Sequence, residues 1–147
     1  MQSNRVLAGL PVPIYASPMS LPMLDLASQA GFRPSSAPCN THMDLAEALI
    51  QHPQRTFMQR AVGDSMEGAG IFDGDLLLVD RQLAPQHGDI VVAQVNGEFT
   101  CKRYGCHDGV PSLQSENPDT SSTPIQGEID IQIWGVVTNS VRRFRTA

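Results

Sequence analysis

Two residues in this chain could share one chemistry. Ser65 sits in Gly63-Asp64-Ser65-Met66, a sharp turn that follows an expected strand beginning at Thr56. Lys102 is the only lysine, the other nine basic residues being arginines. A serine hydroxyl is a poor nucleophile until a neighbouring group takes its proton. A lysine can take it only as the neutral amine, which requires burial to bring its pKa from ~10.4 towards ~7–8. Gly63 and Gly68 keep bulk away from the serine. Lysines at strand ends also commonly carry their heads out to water, and the hairpin pattern alone favours that second behaviour.

The elements that must position the pair read as β structure. Strands are expected over Thr56–Val62 and Leu76–Val79, the second entered by the tight Asp73-Gly74-Asp75 turn. A hairpin spans Asp89–Tyr104 about Asn96-Gly97, a strong two-residue turn signal. That turn pairs Val95 with Glu98, Ala93 with Thr100 and Val91 with Lys102. With a side-chain period of two, Lys102 shares a face with Val91, Ala93 and Val95. An ammonium over such a face is poorly solvated, which lowers its pKa. A short strand is expected at Val110–Gln114 and a last one at Ile129–Thr138. The fold class is therefore mainly β, a compact, strongly bent β domain.

Residues 1–40 read differently, and the division falls between an extended N-terminal arm, 1–40, and a β-rich domain, 41–147. Six of the eleven prolines lie in the arm, which forbids a long helix, while it carries only three charges, Arg5, Asp25 and Arg33. Leu21, Met23, Leu24 and Leu26 need a surface to lie on. Within it, Ala30-Gly31 offers a small residue before a glycine, a pair that suits a narrow protease cleft. Asp44–His52 reads as a short helix, with Asp44 and Glu47 as a capping pair and Pro53 closing it. His42 and His52 are expected to be solvated, as are the arginines of Arg142-Arg143-Phe144-Arg145.

Composition excludes several classes. A net charge of −5 argues against general nucleic-acid affinity, which needs phosphate neutralisation. No apolar run approaches the ~20 residues of a membrane span, and no signal-peptide layout opens the chain. Three cysteines, Cys39, Cys101 and Cys106, form no disulfide framework, which suits a reducing cytoplasm. Cys101, Cys106 and His107 lack a second ligand pair, so free thiols are expected and no metal.

Four motifs stand in order: Gly63-Asp64-Ser65-Met66, Asp73-Gly74-Asp75-Leu76-Leu77, His87-Gly88-Asp89-Ile90-Val91 and Gly97-Glu98-Phe99-Thr100-Cys101-Lys102-Arg103. Together with Trp134-Gly135-Val136-Val137 they resemble the LexA/UmuD family of self-cleaving serine–lysine proteins. The likeness is greatest on the UmuD side, whose members are accessory subunits of SOS-induced translesion DNA polymerases. The resemblance implies Ser65 as nucleophile, Lys102 as neutral general base and Ala30–Gly31 as the scissile bond. Backbone N–H groups at Asp64-Ser65 would form the oxyanion hole. It further implies a cytoplasmic homodimer without cofactor, a RecA–single-stranded-DNA filament as activator and a UmuC-like polymerase subunit as partner. UmuD proteins carry cysteine before that glycine, whereas LexA-type repressors carry alanine, as here. A signal peptidase would need a membrane anchor and a repressor a DNA-reading domain, and neither is expected in the first forty residues. The alternative that survives is a catalytically silent dimeric binding module regulating a DNA polymerase.

Overall fold

The computed structural model describes residues 7–13, 20–22, 42–118, 125–126 and 131–145. Their backbone is dominated by antiparallel strands. These are β1 (Leu7–Pro13), β2 (Ser20–Pro22), β3 (His42–Asp44), β4 (Thr56–Ala61), β5 (Leu76–Asp80) and β6 (Ile90–Val95). They continue with β7 (Glu98–His107), β8 (Val110–Gln114), β9 (Ile125–Gln126) and β10 (Ile131–Val141). Eight strands form one sheet in the order β1-β4-β5-β10-β6-β7-β8-β9, while β2 and β3 pair separately. The last strand in sequence thus lies in the middle of the sheet.

The hairpin forms as expected. Asn96 and Gly97 take φ of 50° and 84°, the left-handed pair that such a turn requires. Val91 faces Lys102, Ala93 faces Thr100 and Val95 faces Glu98. Two apolar clusters form, one holding Ala61, Met66, Ile71, Leu77, Val79, Val92 and Cys101, the other Val91, Ala93, Leu113 and Val136. Neighbours Val91 and Val92 point into different clusters, so β6 is buried on both faces, as in a sheet bent over itself. The bending has a local cause. The β10 register shifts between Ile133 and Gly135 against β6, and between Val137 and Asn139 against β5. An extra residue in one strand turns and twists it. At Gly135 a Cβ would come 2.7 Å from Val79 Cγ1 and 3.3 Å from the Asp80 carbonyl oxygen, so the close approach of β5 demands glycine there.

The helix is shorter than expected. α1 spans Leu45–Leu49, capped by Asp44, whose carboxylate accepts from the Glu47 N–H at 2.9 Å. Pro53 then opens a 3-10 turn to Arg55. Two solvation expectations are corrected. His52 Nδ1 lies 2.7 Å from Oδ2 of the buried Asp80. Arg142 grips the buried Asp75 through both Nε and Nη2 at 3.1 Å and stacks on Phe72. A carboxylate held out of water needs such partners, and the sequence pattern did not mark these acids as buried. β10 also runs on to Val141, beyond the Thr138 expected. Ala30, Gly31 and Cys39 lie outside the described residues. Among the described residues no helix is long and apolar enough to cross a membrane, and no group of ligands could hold a metal.

Candidate active site

Ser65 lies in the irregular stretch between β4 and β5, where backbone groups must find partners outside a ladder. The Gly63 N–H donates to Asp73 Oδ1 at 2.8 Å, and the Glu67 N–H donates to the Asp64 carbonyl. The remaining ties come from a strap that follows β8. Glu116 donates its N–H to the Ser65 carbonyl at 2.8 Å and accepts from the Gly68 N–H at 2.6 Å. Asn117 Nδ2 donates to the Asp64 carbonyl at 2.7 Å. A Cβ at Gly68 would meet the Glu116 carbonyl oxygen at 2.8 Å, so the strap can close only on a glycine.

This anchoring leaves the serine hydroxyl in an unusual state. Ser65 Oγ is buried and has no hydrogen-bond partner among the described residues. Most buried hydroxyls are bonded, and an orphan marks a place kept for something else. Beside the turn is a very small cavity, about 10 Å³, lined by Ala61, Val62, Gly63, Ser65, Met66, Ile71 and Cys101. It admits a methyl-sized group. Burial pushes the Cys101 thiol up to about 12, so at neutral pH it is an apolar wall and not a rival nucleophile.

Lys102 reaches the same neighbourhood from β7. It is 7% exposed, and burial lowers its pKa from the ordinary lysine value. The expectation of a head carried out to water is not met. Its Nζ donates to Ser115 Oγ at 2.6 Å, and Ser115 directly precedes the residue that binds the Ser65 backbone. One strap, residues 115–117, therefore touches both Lys102 and the Ser65 turn. Ser65 and Lys102 are not hydrogen-bonded to each other in this conformation. Ser115 was not singled out by sequence, because it lies in a polar segment with no periodicity and its role depends on a contact with β7.

Comparison with known proteins places this arrangement. The Peptidase S24-like family matches residues 22–138. The chain is 42% identical to Protein ImpA of Salmonella typhimurium over 118 residues, 80% of each chain. It is 39% identical to Protein MucA of Escherichia coli over 124 residues, 83% of this chain and 84% of that one. It is 34% identical to LexA repressor 2 of Pseudomonas putida over 133 residues, 87% of this chain and 66% of that one. With a bent antiparallel domain, a buried serine hydroxyl on a strapped turn and a match over most of its length, the chain belongs to the Peptidase S24-like family, as a UmuD-like self-cleaving serine peptidase of SOS mutagenesis.

Proposed function

We propose that this protein cuts its own chain between Ala30 and Gly31, with Ser65 as nucleophile and Lys102 as general base. The observation that carries this reading is the buried, unpartnered Ser65 hydroxyl on a turn tied to the same strap as a buried, pKa-depressed lysine. Neutral Lys102 keeps one N–H on Ser115 and turns its lone pair to the Ser65 proton. Ser65 Oγ attacks the Ala30 carbonyl, and the N–H groups of Asp64 and Ser65 hold the developing oxyanion. Collapse breaks the Ala30–Gly31 bond, and Lys102 returns the proton to the Gly31 amine. Water, deprotonated by Lys102, then attacks the Ala30 acyl carbon, and Lys102 returns that proton to Ser65 Oγ as Ala30 leaves as a carboxylic acid. The small cavity beside Ser65 suits the methyl of Ala30.

The division is an arm, residues 1–40, and a peptidase domain, residues 41–147. Because the substrate is part of the same assembly, its effective concentration replaces affinity. A RecA–single-stranded-DNA filament activates the cut in the cytoplasm. The shortened homodimer then serves a UmuC-like translesion polymerase subunit. Intact mass before and after incubation with an activated recombinase filament tests this: the product must begin at Gly31. The bond from Lys102 to Ser115 rather than to Ser65 favours one other reading, a catalytically silent dimeric binding module. A serine-reactive probe that fails to label Ser65 would decide for it.

A further inference from the structure

β1 covers the edge of β4, and it does so poorly. Leu7 and Ala8 stand opposite Ala61 and Arg60, and Val12 and Pro13 opposite Met58 and Phe57. Between Ala8 and Val12 the register is broken, so the ladder holds at its two ends and not between them. The edge beneath is regular. Ala61 donates to the Asp75 carbonyl and accepts from the Gly74 N–H, both on the β5 side. Strand alternation turns the backbone groups of Met58 and Arg60 the opposite way, towards β1. By the same alternation the nitrogen of Pro13, opposite Phe57, falls on the outer edge, where a further strand would have to bond. A proline there blocks sheet extension while β1 is in place.

We propose that β1 is a removable cover, and that its loss opens the β4 edge to an extended segment of a partner protein that carries an apolar residue and an acidic residue two positions apart. The proposal rests on the reading that the first thirty residues are cut away. The chemistry of the occupant follows from the face it would join. Met58 and Arg60 lie two apart on one face, and Met58 is exposed. Arg60 stands beside Leu76, and Leu76 beside Val141. There a groove of about 470 Å³ is lined by Arg60, Phe72, Leu76, Val141, Arg142 and Arg143. Its two acids are engaged, Asp73 with Gly63 and Asp75 with Arg142. In a chain of net charge −5 this corner is basic, yet β1 sets only Ala8 opposite Arg60. An acidic residue in that place gains a charge partner that β1 does not supply.

The test uses the full chain carrying Ser65→Ala, with a foreign protease recognition sequence in place of residues 14–19, folded first and cut afterwards. Hydrogen exchange is read residue by residue. Cutting should speed exchange of the Met58 and Arg60 amides at least tenfold, while those of Gln59 and Ala61, directed to β5, stay protected. A synthetic peptide of residues 6–14 carrying Ala8→Glu, Pro11→Val and Pro13→Val should restore protection on the cut chain and not bind the uncut one. Arg60→Glu should remove that preference, and a peptide with Ala8→Lys should recover it. Unchanged Met58 and Arg60 amides after cutting would overturn the proposal, as would equal peptide binding to cut and uncut chains. Protection that returns without peptide as protein concentration rises would assign the edge to a second copy instead. The wild-type chain, incubated with its activator, separates the two ideas. An opened edge in the protease-cut chain with no self-cleavage in wild type sinks the cleavage reading alone.

Discussion

The lysine side and the serine side of the site are held by opposite means. Lys102 belongs to a ladder of six consecutive residue pairs between β6 and β7, set by the turn at Asn96-Gly97. Ser65 belongs to no ladder. Its turn is fixed by cross-links from Asp73 nearby and from Glu116 and Asn117 far along the chain. Within the sheet, β4–β5 and β6–β7 are joined only by β10. A ladder fixes a side chain by repetition and tolerates single losses, whereas a cross-linked turn depends on each tie. The difference places the fragile half of the candidate site on the serine's side.

The largest effects should come from the proposed nucleophile and base. Ser65→Ala and Lys102→Arg should each lower self-cleavage about a thousandfold or more, and the double variant should lose no more than either. Arginine keeps the charge but stays protonated. A Lys102→Arg chain that cleaves at the wild-type rate, followed by intact mass, would show that the ladder positions nothing catalytic. Next comes pH. Burial lowers the Lys102 pKa, so the neutral form grows as pH rises. Unassisted cleavage should climb roughly tenfold per unit below the folded-state value and level off above it. The same shift acts on stability with a definite sign. The fold disfavours the charged form, so stability should rise with pH between the folded-state pKa and the unfolded value of 10.5. Lys102→Met should remove that rise in chemical denaturation measured across pH.

Ser115→Ala sharpens the contrast, because it frees the lysine head without touching its ladder. Cleavage should fall on the order of 10–100-fold through loss of alignment, and the buried amine left without this partner should cost about 1–3 kcal/mol in urea unfolding. At the joint between the halves, Gly135→Ala should destabilise by about 1–3 kcal/mol, the usual cost of overpacking. Urea unfolding checks it. The smallest effect is expected at Asn117→Ala, which removes one tie from the serine turn. About 0.5–1.5 kcal/mol of stability should go with it, together with a greater fractional loss of cleavage than any single substitution on the exposed face of β7 produces.

What was legible in the sequence follows the same divide. The hairpin, its register and the face of Lys102 were readable from Asn96-Gly97 and a period of two. The short strand expected at Val110–Gln114, inside a polar segment containing Pro and Ser, is β8. The strap was not, because Ser115, Glu116 and Asn117 lie in a polar segment whose partners are chosen by tertiary proximity and not by local preference. His52 and Arg142 escaped for a related reason. Each meets a carboxylate, Asp80 or Asp75, buried by strands that the chain reaches only later or has long passed. The identity of Ser65 as the serine of interest came from its turn and neighbouring glycines, and its orphaned hydroxyl could be seen only with the surrounding walls in place.

The central position of β10 also sets a timetable. β4 and β5 emerge from the ribosome early and β6 and β7 soon after, but the strand that unites them ends at Val141. Pairings this distant in sequence form slowly and cannot begin before both partners exist. Until the chain has been made through β10, the serine turn and the lysine hairpin are two separate fragments of sheet. The two halves of the site therefore share one sheet only once β10 has been made, whereas the strap at residues 115–117, made earlier, ties them outside the sheet.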